Sequence, residues 1–127
     1  MNLQKVIAGF FFILAMTLNF GFVYGDLSRP ELHSSYELFA ALVVSLITTV
    51  LKIGDKTQLG AVLLATSLVA DIQLIAAVIV WAFMTSLSDG AIDPHEFSIV
   101  ISLSAGALLA NITSVILYIG ETLKSKR

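Results

Sequence analysis

The sequence predicts an all-α polytopic membrane protein: a compact bundle of four transmembrane helices with both termini cytoplasmic. Three observations carry that prediction. Of the 127 residues, 57 % are hydrophobic and only 13 % are charged, against about 25 % charged in an average soluble domain. The mean hydropathy is +0.95 for a chain of 13.6 kDa, too apolar for the large relative surface of a small soluble globule. Finally, the apolar residues fall into four stretches near the ~20-residue length that crosses about 30 Å of hydrocarbon. Spans at about 6–24, 35–53, 57–83 and 94–119 leave short connections, so residues 1–127 read as a single transmembrane domain.

The first stretch, 6–24, is longer than the hydrophobic core of a secretory leader and is interrupted by Asn19, which favours a retained span over a cleaved one. Ser34-Ser35-Tyr36-Glu37 reads as a capping box opening the second span. Gly54 suits a left-handed position closing it. Asp55, with Gln58 three residues on, suits the N-cap of the third span, so spans two and three form a tight hairpin. Asp93-Pro94-His95-Glu96 opens the fourth, with Pro94 at the first helical position. These patterns assign Glu37, Asp55 and Glu96 to helix ends rather than to catalysis.

Orientation follows from the basic residues. Lys5, Lys52, Lys56, Lys124, Lys126 and Arg127 fall on one side and only Arg29 on the other, with Asp26, Glu31, Asp89, Asp93 and Glu96. The richer side is cytoplasmic by the positive-inside rule. Tyr24, Tyr36 and Trp81 then stand at the outer boundary and Tyr118 at the inner one, where amphipathic rings anchor spans.

Lipid offers no hydrophobic drive between helices, so small residues that let backbones approach mark packing faces. Ser102, Gly106, Ala110 and Ser114 form such a ridge on the fourth span, and Ala41, Ser45 and Thr49 form one on the second. The two spans also resemble each other. Residues 40–55 read AALVVSLITTVLKIGD and 106–121 read GALLANITSVILYIGE, a pattern compatible with a duplicated hairpin about an axis along the membrane normal.

Asp71 stands out. At about 1.5 Å per residue from the start of its span, it lies about 20 Å into the bilayer. A charge there costs at least about 2.5–3.5 kcal/mol, so the carboxyl group must face other helices or a water-filled cavity. Ser67 shares its helix face, whereas Gln73 points about 200° away. Asn19 lies at comparable depth, and Asn111 somewhat nearer the cytoplasm, on a stripe with Ser104, Ala107, Ser114 and Tyr118. Asp71, Ser67, Asn19 and Asn111 form the candidate intramembrane polar site, either a proton or cation relay or interhelical hydrogen-bonding glue.

Other chemistries find no support in the sequence. With no cysteine, thiolate sites and disulfides are excluded. His33 and His95 lie in outer connections without metal-ligand spacing. No phosphate-binding loop, nucleophile elbow or paired catalytic carboxylates occur. A net charge of −2 without a basic patch argues against nucleic acid. No enzyme activity, cofactor or metal is expected.

Two resemblances add to this reading. Lys52-Ile53-Gly54-Asp55-Lys56-Thr57 resembles the Glu-x-Gly-Asp-Lys/Arg-Thr/Ser motif of the membrane manganese/calcium–proton exchangers, with Lys52 where that family has its first acid. That family uses two copies whose acids bind the cation; the nearest second copy here is Tyr118-Ile119-Gly120-Glu121-Thr122, also without the first acid. More broadly, NFGFVYGD, YELFAALVVSLI and GDKTQLGAVLLATSLVADIQLIAA resemble a family of small bacterial inner-membrane proteins of unknown function. That resemblance implies a multi-pass protein of the bacterial inner (cytoplasmic) membrane. The expected role is a helix-packing homo-oligomer or accessory subunit of a membrane complex, its partners being the lipid bilayer and other membrane subunits. The alternative is a minimal cation or proton transporter or channel using Asp71.

Overall fold

The computed structural model describes residues 3–24, 35–54, 57–87 and 94–125. They form four α-helices and no strand: α1 (Leu3–Val23), α2 (Ser35–Lys52), α3 (Gln58–Leu87) and α4 (Pro94–Ser125). The all-α bundle expected from sequence is therefore present. α1, α3 and α4 are long and apolar enough to cross a membrane. α2 has 18 residues, which at about 1.5 Å per residue spans about 27 Å, slightly short of the hydrocarbon thickness.

Each helix packs on two neighbours, α1 on α2 and α4, and α3 on α2 and α4, so the bundle closes in the order α1–α2–α3–α4. The inward faces follow the helical period. On α2 they are Leu38, Ala41, Leu42, Ser45, Thr48, Thr49 and Lys52; on α3, Gly60, Leu63, Ser67, Ala70, Asp71, Leu74 and Ala77. Both run at the three- and four-residue spacing that places side chains on one helix face. The outside of the bundle is covered by Phe10, Phe20, Phe39, Ile72, Ile79, Phe83, Leu109 and Ile116, all exposed. Apolar side chains in that number on a solvated surface would drive association; against lipid tails they are at home.

Several local expectations need correction. Gly54 closes no left-handed cap: it has no positive φ, and α2 instead ends in a tightened turn in which the Ile53 N–H donates to the Val50 carbonyl at 3.3 Å. α3 is capped by Thr57, whose Oγ1 accepts the Gly60 N–H at 3.0 Å, the N3 contact of an N-cap. Asp55 lies outside the described residues, as do Ser34, Asp93 and His33. Trp81 also turns inward, its ring 5.0 Å from Phe97 and 5.8 Å from Phe22.

Ser102 lies exposed on the outside of the bundle rather than on its packed face. The reason is angular drift. Steps of four residues advance the face by about 40° each on a 3.6-residue helix, so the ridge from Ser102 through Gly106 and Ala110 winds from outside to inside, reaching the interior at Ser114. The shorter ridge on α2 stays within the inner face, and Ala41, Ser45 and Thr49 are all buried. Gly106 serves a close approach. A Cβ there would fall 2.5 Å from Gln73 Oε1, so the glycine makes room for a long side chain from α3.

Candidate functional site

Asp71 faces the other helices. It is buried, and its Oδ1 accepts a hydrogen bond from Ser45 Oγ at 2.6 Å. Its Oδ2 accepts another from Thr49 Oγ1, a hydroxyl that also lies 3.0 Å from the Ser45 carbonyl. Both donors come from the small-residue ridge of α2. The residues that let α2 approach α3 are thus the ones that satisfy the carboxylate.

Ser67, one turn before Asp71, has a different partner. Lys52, the last residue of α2, turns into the bundle and is only 5 % exposed. Its Nζ donates to Ser67 Oγ at 2.5 Å and to Ser114 Oγ at 2.6 Å, spanning the bundle from α2 to α3 and α4. The ammonium also lies 4.4 Å from the centre of the Phe12 ring on α1, within cation–π range. One nitrogen therefore contacts all three other helices. Asp71 shares the buried interior with Lys52 but makes no direct ion pair with it, its carboxylate oxygens being held by Ser45 and Thr49.

The expected group of Asp71 with Asn19 and Asn111 divides in two. The Asn19 amide, oriented by its surroundings, donates to the Ser104 carbonyl at 3.0 Å and accepts from Asn111 Nδ2 at 3.2 Å. That pair braces the α1–α4 seam, whereas Asp71 belongs to the α2–α3 seam. Gln73 points to neither, its side chain lying on Gly106 of α4, in keeping with the angular separation read from the sequence.

The two ends of the interior differ. At the end where α1 and α3 begin and α2 and α4 finish, a cavity of about 490 Å³ is walled by Lys52, Phe12, Leu63 and Tyr118, with Gln4, Lys5 and Glu121 around it. Tyr118 holds its rim, its Oη donating to the Lys5 carbonyl at 2.7 Å. Towards the other end the interior is apolar: Leu38, Ala70, Leu74, Ala77, Phe97 and Val100 are buried in one cluster. Phe22, Trp81 and Phe97 stack edge-on or tilted across it. Lys52 thus borders the cavity, whereas Asp71, which does not line it, adjoins Ala70 of the apolar layer.

A family model covers most of these residues, matching 32–122. The chain belongs to the DUF6394 family. That family is described as one of unknown function, and its match takes in Ser45, Thr49, Lys52, Ser67, Asp71, Asn111 and Ser114 while leaving α1 outside. No curated protein and no solved structure matches this DUF6394 member.

Lys52 is the functional candidate that sequence reading missed. A lysine at the end of an apolar stretch ordinarily snorkels to the interface, and that is where the sequence places it. Its helix position carried the contrary signal: Ser45, Thr48, Thr49 and Lys52 lie at i, i+3, i+4 and i+7, on one face.

Proposed function

We propose that this DUF6394 protein is a four-span protein of the bacterial inner membrane, both termini cytoplasmic, that exchanges a proton or small cation at Asp71 and Lys52. It is a transport or ion-sensing module rather than an enzyme. The observation that carries this reading is the pair of opposite charges buried inside the bundle, with a cavity reaching Lys52 from one end. A central carboxylate costs at least about 2.5–3.5 kcal/mol to insert, and its two hydroxyl contacts return about 1.2 kcal/mol at the ~0.6 kcal/mol average of interhelical hydrogen bonds in membranes; the rest falls to the opposite charge of Lys52 in the same interior. The test is flux through proteoliposomes followed with an internal pH dye and with tracer cations. Wild-type protein should carry a proton or cation current, and Asp71→Asn should abolish it without loss of expression or monodispersity. A wild type that moves neither refutes the reading.

A second reading is favoured by the hydroxyl and amide partners that Asp71, Lys52 and Asn19 all find within the chain. Here the bundle is a self-braced packing unit: a homo-oligomer, or an accessory subunit of a membrane complex that uses the apolar exterior. Gentle native extraction, followed by mass determination and identification of co-purifying subunits, tests it. A lone monomer in lipid nanodiscs is the outcome that counts against it.

A further inference from the structure

α2 stops short of its neighbours. Ser45 and Thr49 both donate to Asp71, and Lys52 donates to Ser67, so α2 and α3 run antiparallel with their register fixed. The midpoint of Ser45 and Thr49 is level with Asp71, which puts the end of α2 at Lys52 about five residues nearer the start of α3. α3 begins at Gln58, so its first eight or so residues, about 12 Å of helix, run past that end. α1 and α4 continue there too: Tyr118 reaches the Lys5 carbonyl, and α4 extends to Ser125. Three helices go on where the fourth has ended, and the space left between them is the cavity of about 490 Å³.

We propose that this cavity is a phospholipid site. It takes one anionic lipid from the adjoining leaflet, with an acyl chain in the gap below α2 and the phosphate at Lys5. The site is independent of ion exchange at Asp71, which does not line it.

The walls are graded as such a ligand requires. Ile7 and Ala8 of α1, Leu51 of α2 and Leu63 of α3 supply apolar surface. Gln4, Lys5 and Glu121 stand in the end turns of α1 and α4, at the mouth. A soluble anion has nothing to set against the apolar walls; an acyl chain does. The volume is that of a ligand pocket, which in bundles falls between helices. Left empty, a gap at this depth would deprive its lining atoms of dispersion contacts, and lipid is the solvent at hand.

Charge selects the head group. Among the described residues at this end, Lys5, Lys52 and Lys124 stand against Glu121 alone. Basic pockets at the ends of membrane helices attract anionic head groups. Lys52 commits two of its donors to Ser67 and Ser114, and the Phe12 ring, centred 4.4 Å from its nitrogen, is an apolar wall of the same cavity. The exposed Lys5 is the cation placed to meet a phosphate.

The experiment is native mass spectrometry of the full-length protein in mild detergent, titrated with phosphatidylglycerol or with phosphatidylcholine of the same acyl chains. Wild type should saturate at one phosphatidylglycerol per chain and bind it roughly fivefold more tightly than phosphatidylcholine, the preference one lysine near a head group confers. Lys5→Gln should erase that preference while phosphatidylcholine binding is unchanged. Ala8→Trp, which fills the gap, should weaken both lipids. A phosphatidylglycerol with a photoreactive acyl chain should label wild type on α1 and α3 at residues 7–12 and 60–63, and this decides the matter if Ala8→Trp does not fold. Equal wild-type affinity for the two lipids, labelling confined to the outer surface, or displacement of the lipid by inorganic phosphate at matched ionic strength overturns the site. Ion flux with no lipid retained removes it and leaves exchange at Asp71 standing; retention without flux does the reverse.

Discussion

Removing either member of the Asp71–Lys52 pair should be far more harmful than removing both. Asp71→Asn leaves the Lys52 ammonium buried between Ser67, Ser114 and Phe12 with no opposing charge. Lys52→Met leaves the carboxylate with only the Ser45 and Thr49 hydroxyls. Breaking a buried contact pair from one side costs about 3–5 kcal/mol, because an uncompensated charge stays behind; Asp71 and Lys52 act on each other through the interior without a direct ion pair, so the lower figure applies. Simple addition therefore predicts about 6 kcal/mol for the double variant. The double variant strands no charge. It forfeits mainly the four hydroxyl contacts, about 2.4 kcal/mol at about 0.6 kcal/mol each. A coupling of at least about 2 kcal/mol in the stabilising direction is expected, towards the upper part of the range measured for contacting residues. The assay is reversible unfolding in mixed micelles of increasing SDS content, read by circular dichroism and by fluorescence of the single tryptophan, Trp81. Costs that add to within about 0.5 kcal/mol would refute the idea that the two charges compensate each other.

Three further outcomes are expected. Gly106→Leu should destabilise the bundle by about 1–3 kcal/mol by overpacking, since even a Cβ there meets Gln73. Shortening the obstacle in Gly106→Leu/Gln73→Ala should recover part of the loss in the same titration, and no recovery would show that Gln73 is not the obstacle. Phe97→Ala, which empties a fully buried site between Phe22 and Trp81, should cost about 3–5 kcal/mol, as large core truncations do. It should also shift Trp81 emission to longer wavelength; an unchanged spectrum would mean that the aromatic layer is not dry. Green fluorescent protein fused after Arg127 should fluoresce and alkaline phosphatase at the same place should be inactive, as expected from the bias of Lys5, Lys56, Lys124, Lys126 and Arg127 against Arg29, which persists with Lys52 buried. An active phosphatase fusion would invert or break the four-span topology.

Much of the fold was legible because the bilayer admits so few solutions. A backbone without water must satisfy itself internally, so long apolar stretches could only be helices, and their ends fall near the boundaries read from composition. The burial of Asp71 was legible for the same reason. Its partners were not. Ser45 and Thr49 read as small residues for close packing; that they also donate to Asp71 depends on the register of α2 against α3. The association of Asn19 with Asn111 rather than Asp71 depends on which helices are neighbours, and four helices can be arranged around a bundle in more than one order. Ser102 misled because a four-residue ridge drifts around a helix, and only a packed bundle shows where the drift leaves the interface.

Hydropathy and helical periodicity, local properties of the chain, determined that it is helical, that its surface suits lipid, and that a central carboxylate has to be turned inward. Tertiary structure alone decided that Lys52 abandons the interface to meet Ser67 and Ser114, that Asp71 takes its donors from α2, and that Lys52 borders a cavity which Asp71 does not line. The physical reason is that a lysine at a helix end has two low-cost resting places, water and a buried counter-charge. The choice between them is made by groups 15 and 62 residues away in the chain, which no local pattern brings together.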